Sequence, residues 1–219
     1  MRTQRKPLHT SAKSRQDAAA AVHTRTAEPV RHLDRRTVHI LTQDELRRLL
    51  KVIRSKRDKA IFLVAYRHGL RASEIGLLQR VDVDTKQGRM SIQRLKNSIS
   101  GVYPMQPDVL KAVRSYVRTR KDESPYLFVS NRNVPISRYM LHHLMQTYGE
   151  AAGLPPEKRK FHCLRHSIAT HLLDAGADLA FVKDWLGHTN IQNTTIYARL
   201  TTATLDAQAR TIFVSHRVV

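Results

Sequence analysis

The sequence predicts an α+β fold, mostly helical, with a small three-stranded antiparallel sheet. Three observations predict it. Apolar residues recur at helical spacing through most of the chain beyond residue 39. Three short stretches at 81–83, 89–93 and 102–105 alternate instead, with Gly88 and Gly101 between them. No segment repeats, and 219 residues suit one domain preceded by an arm.

The helices follow in order. Thr42-Gln-Asp-Glu45 is a capping box, with Thr at the N-cap and Glu three residues on. Leu46, Leu49, Leu50 and Ile53 continue it with one apolar face. A second helix is expected over 58–68, where Ile61, Phe62, Val64 and Ala65 are apolar and Gly69 can end it. A short third helix covers 72–78. The three strands come next, and Pro104 places the last at a sheet edge, because proline cannot donate to a ladder. Helical spacing returns at 109–120. Residues 126–129 read as a short buried extended segment. Ser137 caps a helix to about Ala151, stopped by Gly153 and the pair Pro155-Pro156. A strongly apolar helix spans 162–174, closed by Gly176. Asp178 caps another over 179–186, closed by Gly187. Short helices near 191–198 and 202–210 finish the chain.

Charge narrows the partner. Lys and Arg number 38 against 18 Asp and Glu, a formal net charge of +20. Such a chain is drawn to polyanions, nucleic acid first and an anionic membrane surface second. Residues 1–36 hold nine Lys and Arg against three acids, +6, which leaves +14 on the remainder. Residues 1–38 therefore read as a basic, flexible arm and 39–219 as the folded domain. No apolar run approaches the roughly 18–20 residues that span a bilayer, so an integral membrane protein is not expected; with nucleic acid the first candidate, no membrane partner is assigned. The first residues lack the apolar centre of a secretory signal. Cys163 stands alone, which excludes an intramolecular disulfide and a cysteine metal cluster, and suits a reducing cytoplasm.

Four segments carry chemistry: Gly69-Leu-Arg71-Ala-Ser-Glu74, His162-Cys-Leu-Arg165-His166, Leu186-Gly187-His188 and Tyr197. Lys96 joins them from the expected turn between the second and third strands. His162 and Arg165 are three apart and share a helix face, as do Arg71 and Glu74. Taken singly, each has a plain alternative: a surface arginine, a satisfied histidine, a packing tyrosine. His162 and His166 also have the four-residue spacing of metal ligands, with His171 nearby. No HExxH glutamate or second carboxylate accompanies them, so no metal is assigned.

The ordered set Arg71, Lys96, His162, Arg165, His188, Tyr197 resembles the tyrosine recombinase (phage integrase) family over about residues 39–200. The stretch from Arg94 to Met105 looks most like the fimbrial phase-variation recombinases within it. The resemblance implies the family's catalytic-domain fold and site-specific recombination of double-stranded DNA, by cleavage and rejoining without metal, ATP or other cofactor. Tyr197 would be the nucleophile, forming a 3′-phosphotyrosyl bond. Arg71, Arg165 and His188 would bind the scissile phosphate. His162 would be the general base, Lys96 the general acid, and Glu74 would orient the active-site arginine and histidine. The chemistry fits these types: a reaction at phosphate without metal needs cations and donors where charge develops, and a guanidinium forks onto two oxygens. The family also implies a tetramer when two DNA sites are paired, and accessory DNA-bending proteins. Its usual members carry an N-terminal domain that closes around DNA; the basic arm is expected to substitute in part. The last residues, 201–219, are expected to dock on a neighbouring protomer when DNA is bound. Two other functions fit less of the pattern: strand relaxation like a type IB topoisomerase, and a non-catalytic DNA-binding accessory protein.

Overall fold

The computed structural model describes residues 38–95 and 98–198. These lie within one unit, Leu33–Val219. The expected arm, Lys96, the helix at 202–210 and the docking tail fall outside the described residues.

Helix α1 is Gln43–Val52, and its capping box is formed as expected. The Thr42 hydroxyl accepts the Glu45 N–H at 3.2 Å, and the Glu45 carboxylate accepts the Thr42 N–H at 2.7 Å. Helix α2 is Lys56–Arg67, two residues longer at its start than the pattern predicts. The reason is Ser55, whose hydroxyl accepts the Asp58 N–H. From Ala60 to Tyr66 every residue of α2 is buried. It runs through the core, against α4 (Pro107–Val117) on one side and α6 (His162–Asp174) on another.

Helix α3 is the single turn Ala72–Ile75, shorter than 72–78. Tertiary pairing wins over helix propagation there. The Leu127 N–H donates to the Leu78 carbonyl and the Arg80 N–H to Pro125, so the chain peels away to meet 125–127. The first expected strand is also shifted. Val81 and Asp82 sit in a 3₁₀ turn, Arg80–Asp82, because the Asp82 carboxylate accepts the Gln79 N–H at 2.7 Å. Val81 is 86% exposed.

The sheet has the predicted three antiparallel strands in sequence order, β1 (Val83–Asp84), β2 (Arg89–Ile92) and β3 (Gly101–Pro104), with β3 starting one residue early because Gly101 pairs with Ile92. Met90 lies opposite Val83 on one side and Tyr103 on the other. Met90 and Ile92 are buried while Arg89 and Ser91 face out. Pro104 is on an edge strand, as its missing N–H requires. Residues 127–129 are buried but form isolated bridges rather than a strand, Gln79 with Tyr126 and Val129 with Pro135.

Helix α5 is Arg138–Ala151, capped by Ser137, and α7 is Leu179–Leu186, capped by Asp178. Helix α8 is Gln192–Ala198. Helix α6 touches α2, α7 and α8 together. That packing brings the end of α2, the start of α6, the end of α7 and the face of α8 to one place. Among the described residues no helix is long and apolar enough to cross a membrane.

Candidate active site

The site is built around the end of α2. Gly69 has φ +59° and a carbonyl that accepts from two guanidinium groups, those of Arg165 and Arg94. A Cβ at Gly69 would collide with Leu186, so only glycine fits both the conformation and the packing. Arg165, 1% exposed, also donates to the Leu186 carbonyl at 3.0 Å. These two bonds fix the guanidinium between the end of α2 and the end of α7. They use two of its five N–H groups.

Arg71 is the N-cap residue of α3, and Glu74 is three residues on. Glu74 Oε2 accepts the Arg71 backbone N–H at 2.9 Å, and Oε1 accepts its guanidinium at 2.6 Å. Arg71 also donates to the Ser98 hydroxyl at 3.2 Å. Glu74 is itself buried, and it accepts from Arg94 at 3.3 Å and from the Leu95 N–H at 3.2 Å. Burial works to raise the Glu74 carboxyl; the Arg71 and Leu95 hydrogen bonds and the Arg94 charge bring it below its ordinary value. Glu74 thus holds Arg71. Its other bonds reach Arg94 and Leu95.

Arg94 belongs to the site although the sequence assigns it no role beyond opening the 94–105 stretch. Its guanidinium is wholly buried and donates to the His68, Gly69 and Trp185 carbonyls as well as to Glu74. Its Cζ lies 5.3 Å from the Tyr103 ring centre. One side chain from just beyond β2 therefore ties the ends of α2 and α7 together. Leu95 and Ser98, which flank the undescribed pair 96–97, both bond within this cluster.

His188 follows Gly187, the αL residue that ends α7. A Cβ at Gly187 would approach the Ile99 carbonyl to 2.6 Å, and the Ile99 N–H donates to the Gly187 carbonyl at 2.9 Å. The His188 Nδ1 pairs with the Thr194 hydroxyl on α8 at 2.9 Å. Burial, then Arg165, Arg71 and Arg94, press the His188 ring down to about 4. Trp185 packs the helix that presents His188: it stacks on Phe181 and His68 and donates to the Arg67 carbonyl at 2.8 Å.

Tyr197 lies on α8 one turn after Thr194 and is 2% exposed. Its hydroxyl sits 2.9 Å from Nδ1 of His166. Burial pushes the phenol up, and Arg165 and Arg71 pull against it. His162 is exposed, and its ring meets His166 edge-on at 4.4 Å between centres. His171 pairs with the Tyr66 hydroxyl at 2.8 Å, and among the described residues no three His, Cys, Asp or Glu side chains form a metal-type cluster.

The structure thus brings Arg71, Glu74, Arg165, His188 and Tyr197 together, with His162 at the rim; Lys96 is not described. Arg94, His166, Thr194 and Ser98 are additions. Two of them left a trace in the sequence: His166 is one helical turn from His162, and Thr194 one turn before Tyr197. Three guanidinium groups, Arg71, Arg94 and Arg165, surround one carboxylate, Glu74. Burial first, and then Arg71 and Arg94, bring Arg165 down to about 10. Buried positive charge in excess of its counter-charge is an anion site.

This architecture is that of a tyrosine recombinase catalytic domain. The chain belongs to the phage integrase family, whose profile matches residues 39–204. It is 37% identical over 166 residues to "Tyrosine recombinase XerA" of Thermococcus onnurineus, covering 74% of this chain and 58% of that protein. It is 34% identical over 172 residues to "Type 1 fimbriae regulatory protein FimB" of Escherichia coli, covering 75% of this chain and 86% of that one. A crystal structure of XerA recombinase superposes with a TM-score of 0.69 at 29% identity, over 83% of this chain and 66% of that chain. The chain spans under three fifths of the length of its archaeal XerA relatives.

Proposed function

We propose that this chain is a site-specific DNA recombinase, cutting and rejoining double-stranded DNA through Tyr197. One observation carries the reading: a buried tyrosine hydroxyl lies in a cluster with a net excess of guanidinium charge. A phosphodiester brought there meets a nucleophile and its charge partners at once. Arg71 and Arg165 are preset by Glu74 and by the Gly69 and Leu186 carbonyls, so no reorganisation is needed as charge builds on the phosphate. His188, held through Thr194, offers a donor to a non-bridging oxygen.

In this mechanism the Tyr197 oxygen attacks phosphorus, the bond to the 5′ oxygen breaks, and Lys96 gives that oxygen a proton. The 3′-phosphotyrosyl bond keeps the energy for rejoining, so no ATP, metal or other cofactor is called for. His162 is the position that family resemblance marks for the general base. The partner is double-stranded DNA, with a tetramer on paired sites and DNA-bending accessory proteins completing the reaction. Residues 39–219 supply the catalytic domain, and the basic charge of residues 1–38 adds to the attraction for DNA. The work belongs in the bacterial cytoplasm.

The test is covalent capture from a randomised pool of nicked suicide duplexes, in which the leaving strand is lost. Wild type should form an adduct on a defined subset of sequences, and Tyr197→Phe should bind those duplexes without forming it. Relaxation of plasmids regardless of sequence would favour a topoisomerase-like activity. Binding with no adduct on any duplex would favour an accessory role.

A further inference from the structure

We propose that His166, rather than a histidine at the rim, is the immediate proton acceptor of the Tyr197 hydroxyl. The inference deepens the recombinase reading and rests on it. A phenol with a pKa of about 10 must lose its proton as it attacks, and a base must lie within hydrogen-bond reach of that proton. His166 Nδ1 is at 2.9 Å from the Tyr197 oxygen. His166 comes from the first turns of α6 and Tyr197 from α8, two helices packed on each other. The pairing is therefore set by the core rather than by a loop.

The groups around the ring keep it neutral before DNA is bound, so its lone pair is free of a proton. His162 and Arg165 face it from α6, His39 from the segment before α1, His188 from the end of α7, and Tyr197 from α8. Burial first, then His162, Arg165, His39 and His188, press the ring down to about 3. A bound phosphodiester adds negative charge to the same cluster and draws the ring's affinity for a proton back up. The proton passes from Tyr197 to His166 Nδ1 as the bond from oxygen to phosphorus forms and the bond to the 5′ oxygen breaks, and the departing 5′ oxygen takes its proton from the general acid proposed above. On rejoining, the 5′ hydroxyl gives that proton back as it attacks, tyrosine departs, and His166 returns its own proton to the phenol oxygen.

His166→Asn is the informative change. The asparagine oxygen takes the place of Nδ1, so it can accept the tyrosine hydrogen bond but not the proton. The assay is the rate of covalent adduct formation on a captured suicide duplex from pH 6 to pH 9, with thermal unfolding and DNA binding followed alongside. Where the Asn variant does not fold, His166→Gln replaces it. We expect binding close to wild type and adduct formation roughly 10²–10⁴-fold slower. We also expect the variant's rate to climb about tenfold per pH unit, since Tyr197 must then ionise by itself. A rate within threefold of wild type overturns the assignment. So does a slower rate with an unchanged pH profile, which would mark His166 as structural. So does the appearance of the steep profile in His162→Gln in place of His166→Asn. Absence of any adduct from wild type would instead overturn the recombinase reading.

Discussion

The carboxylate of Glu74 holds Arg71 at both ends, one oxygen on the backbone N–H at 2.9 Å and the other on the guanidinium at 2.6 Å. The same carboxylate is the counter-charge of the wholly buried Arg94. Removing it strands two cations. Glu74→Ala should therefore destabilise the domain by roughly 3–5 kcal/mol, the range for breaking a buried ion pair by deleting one partner. Glu74→Gln keeps the shape and one acceptor and should cost less. Urea denaturation of the two variants checks the order. Equal stability of Ala and wild type would remove Glu74 from the centre of the cluster.

Gly187 makes a second, backbone-level demand. It has φ +71°, and a Cβ there would press on the Ile99 carbonyl and on Arg94. Gly187→Ala should lower stability by more than the roughly 1 kcal/mol that αL strain alone costs, and it should shift His188 with it. Thermal unfolding together with adduct formation measures both effects. Gly176, also at positive φ but with nothing within 4 Å, is the control: there only the strain should appear.

Two buried histidines, His68 and His188, and the half-buried His166 set a pH dependence of stability. His68 and His188 are pressed down to about 4 and His166 to about 3, chiefly by burial in each case. Their unfolded counterparts titrate near 6.5. With folded values depressed, the unfolded chain binds more protons as pH falls. The stability they contribute is complete above about pH 7 and drains away from about 6.5 down towards 4. The melting temperature should hold steady from pH 7 to 8 and fall by several degrees by pH 5. A melting temperature that rises on acidification would contradict the burial of these rings.

The +6 charge of residues 1–36 gives a prediction about DNA. Removing them should weaken non-specific binding and flatten its salt dependence, by roughly 0.9 in the log–log slope for each phosphate that the arm neutralises. A salt titration of full-length and shortened protein reads this directly. Superimposable titrations would assign the DNA affinity to the folded domain alone.

Much of the site is legible in the sequence because its residues carry strong local signals. Thr42 with Glu45, Ser137 and Asp178 mark helix starts through capping chemistry, and Gly69 and Gly187 mark the ends. Arg71, Arg165, His188 and Tyr197 stand out as an ordered set, and the structure places them together. What cannot be read depends on tertiary pairing. The 72–78 helix stops early because Leu78 and Arg80 pair with residues forty-odd positions away. Val81 leaves the strand because a side-chain cap on Gln79 competes with the ladder. Arg94 is one of many cations until its bonds to three carbonyls and Glu74 are visible. His166 carries a metal-like spacing whose meaning only the position of Tyr197 decides.

The most direct measurement is to map the covalent bond itself. Adduct from wild-type protein and a nicked duplex is digested with protease and nuclease, and the nucleotide-bearing peptide is sequenced by mass spectrometry. The expected peptide contains Tyr197 joined to a 3′ phosphate, with a free 5′ hydroxyl on the released strand. A nucleotide on any other residue, or a linkage to a 5′ phosphate, would contradict the assignment of Tyr197 as the nucleophile.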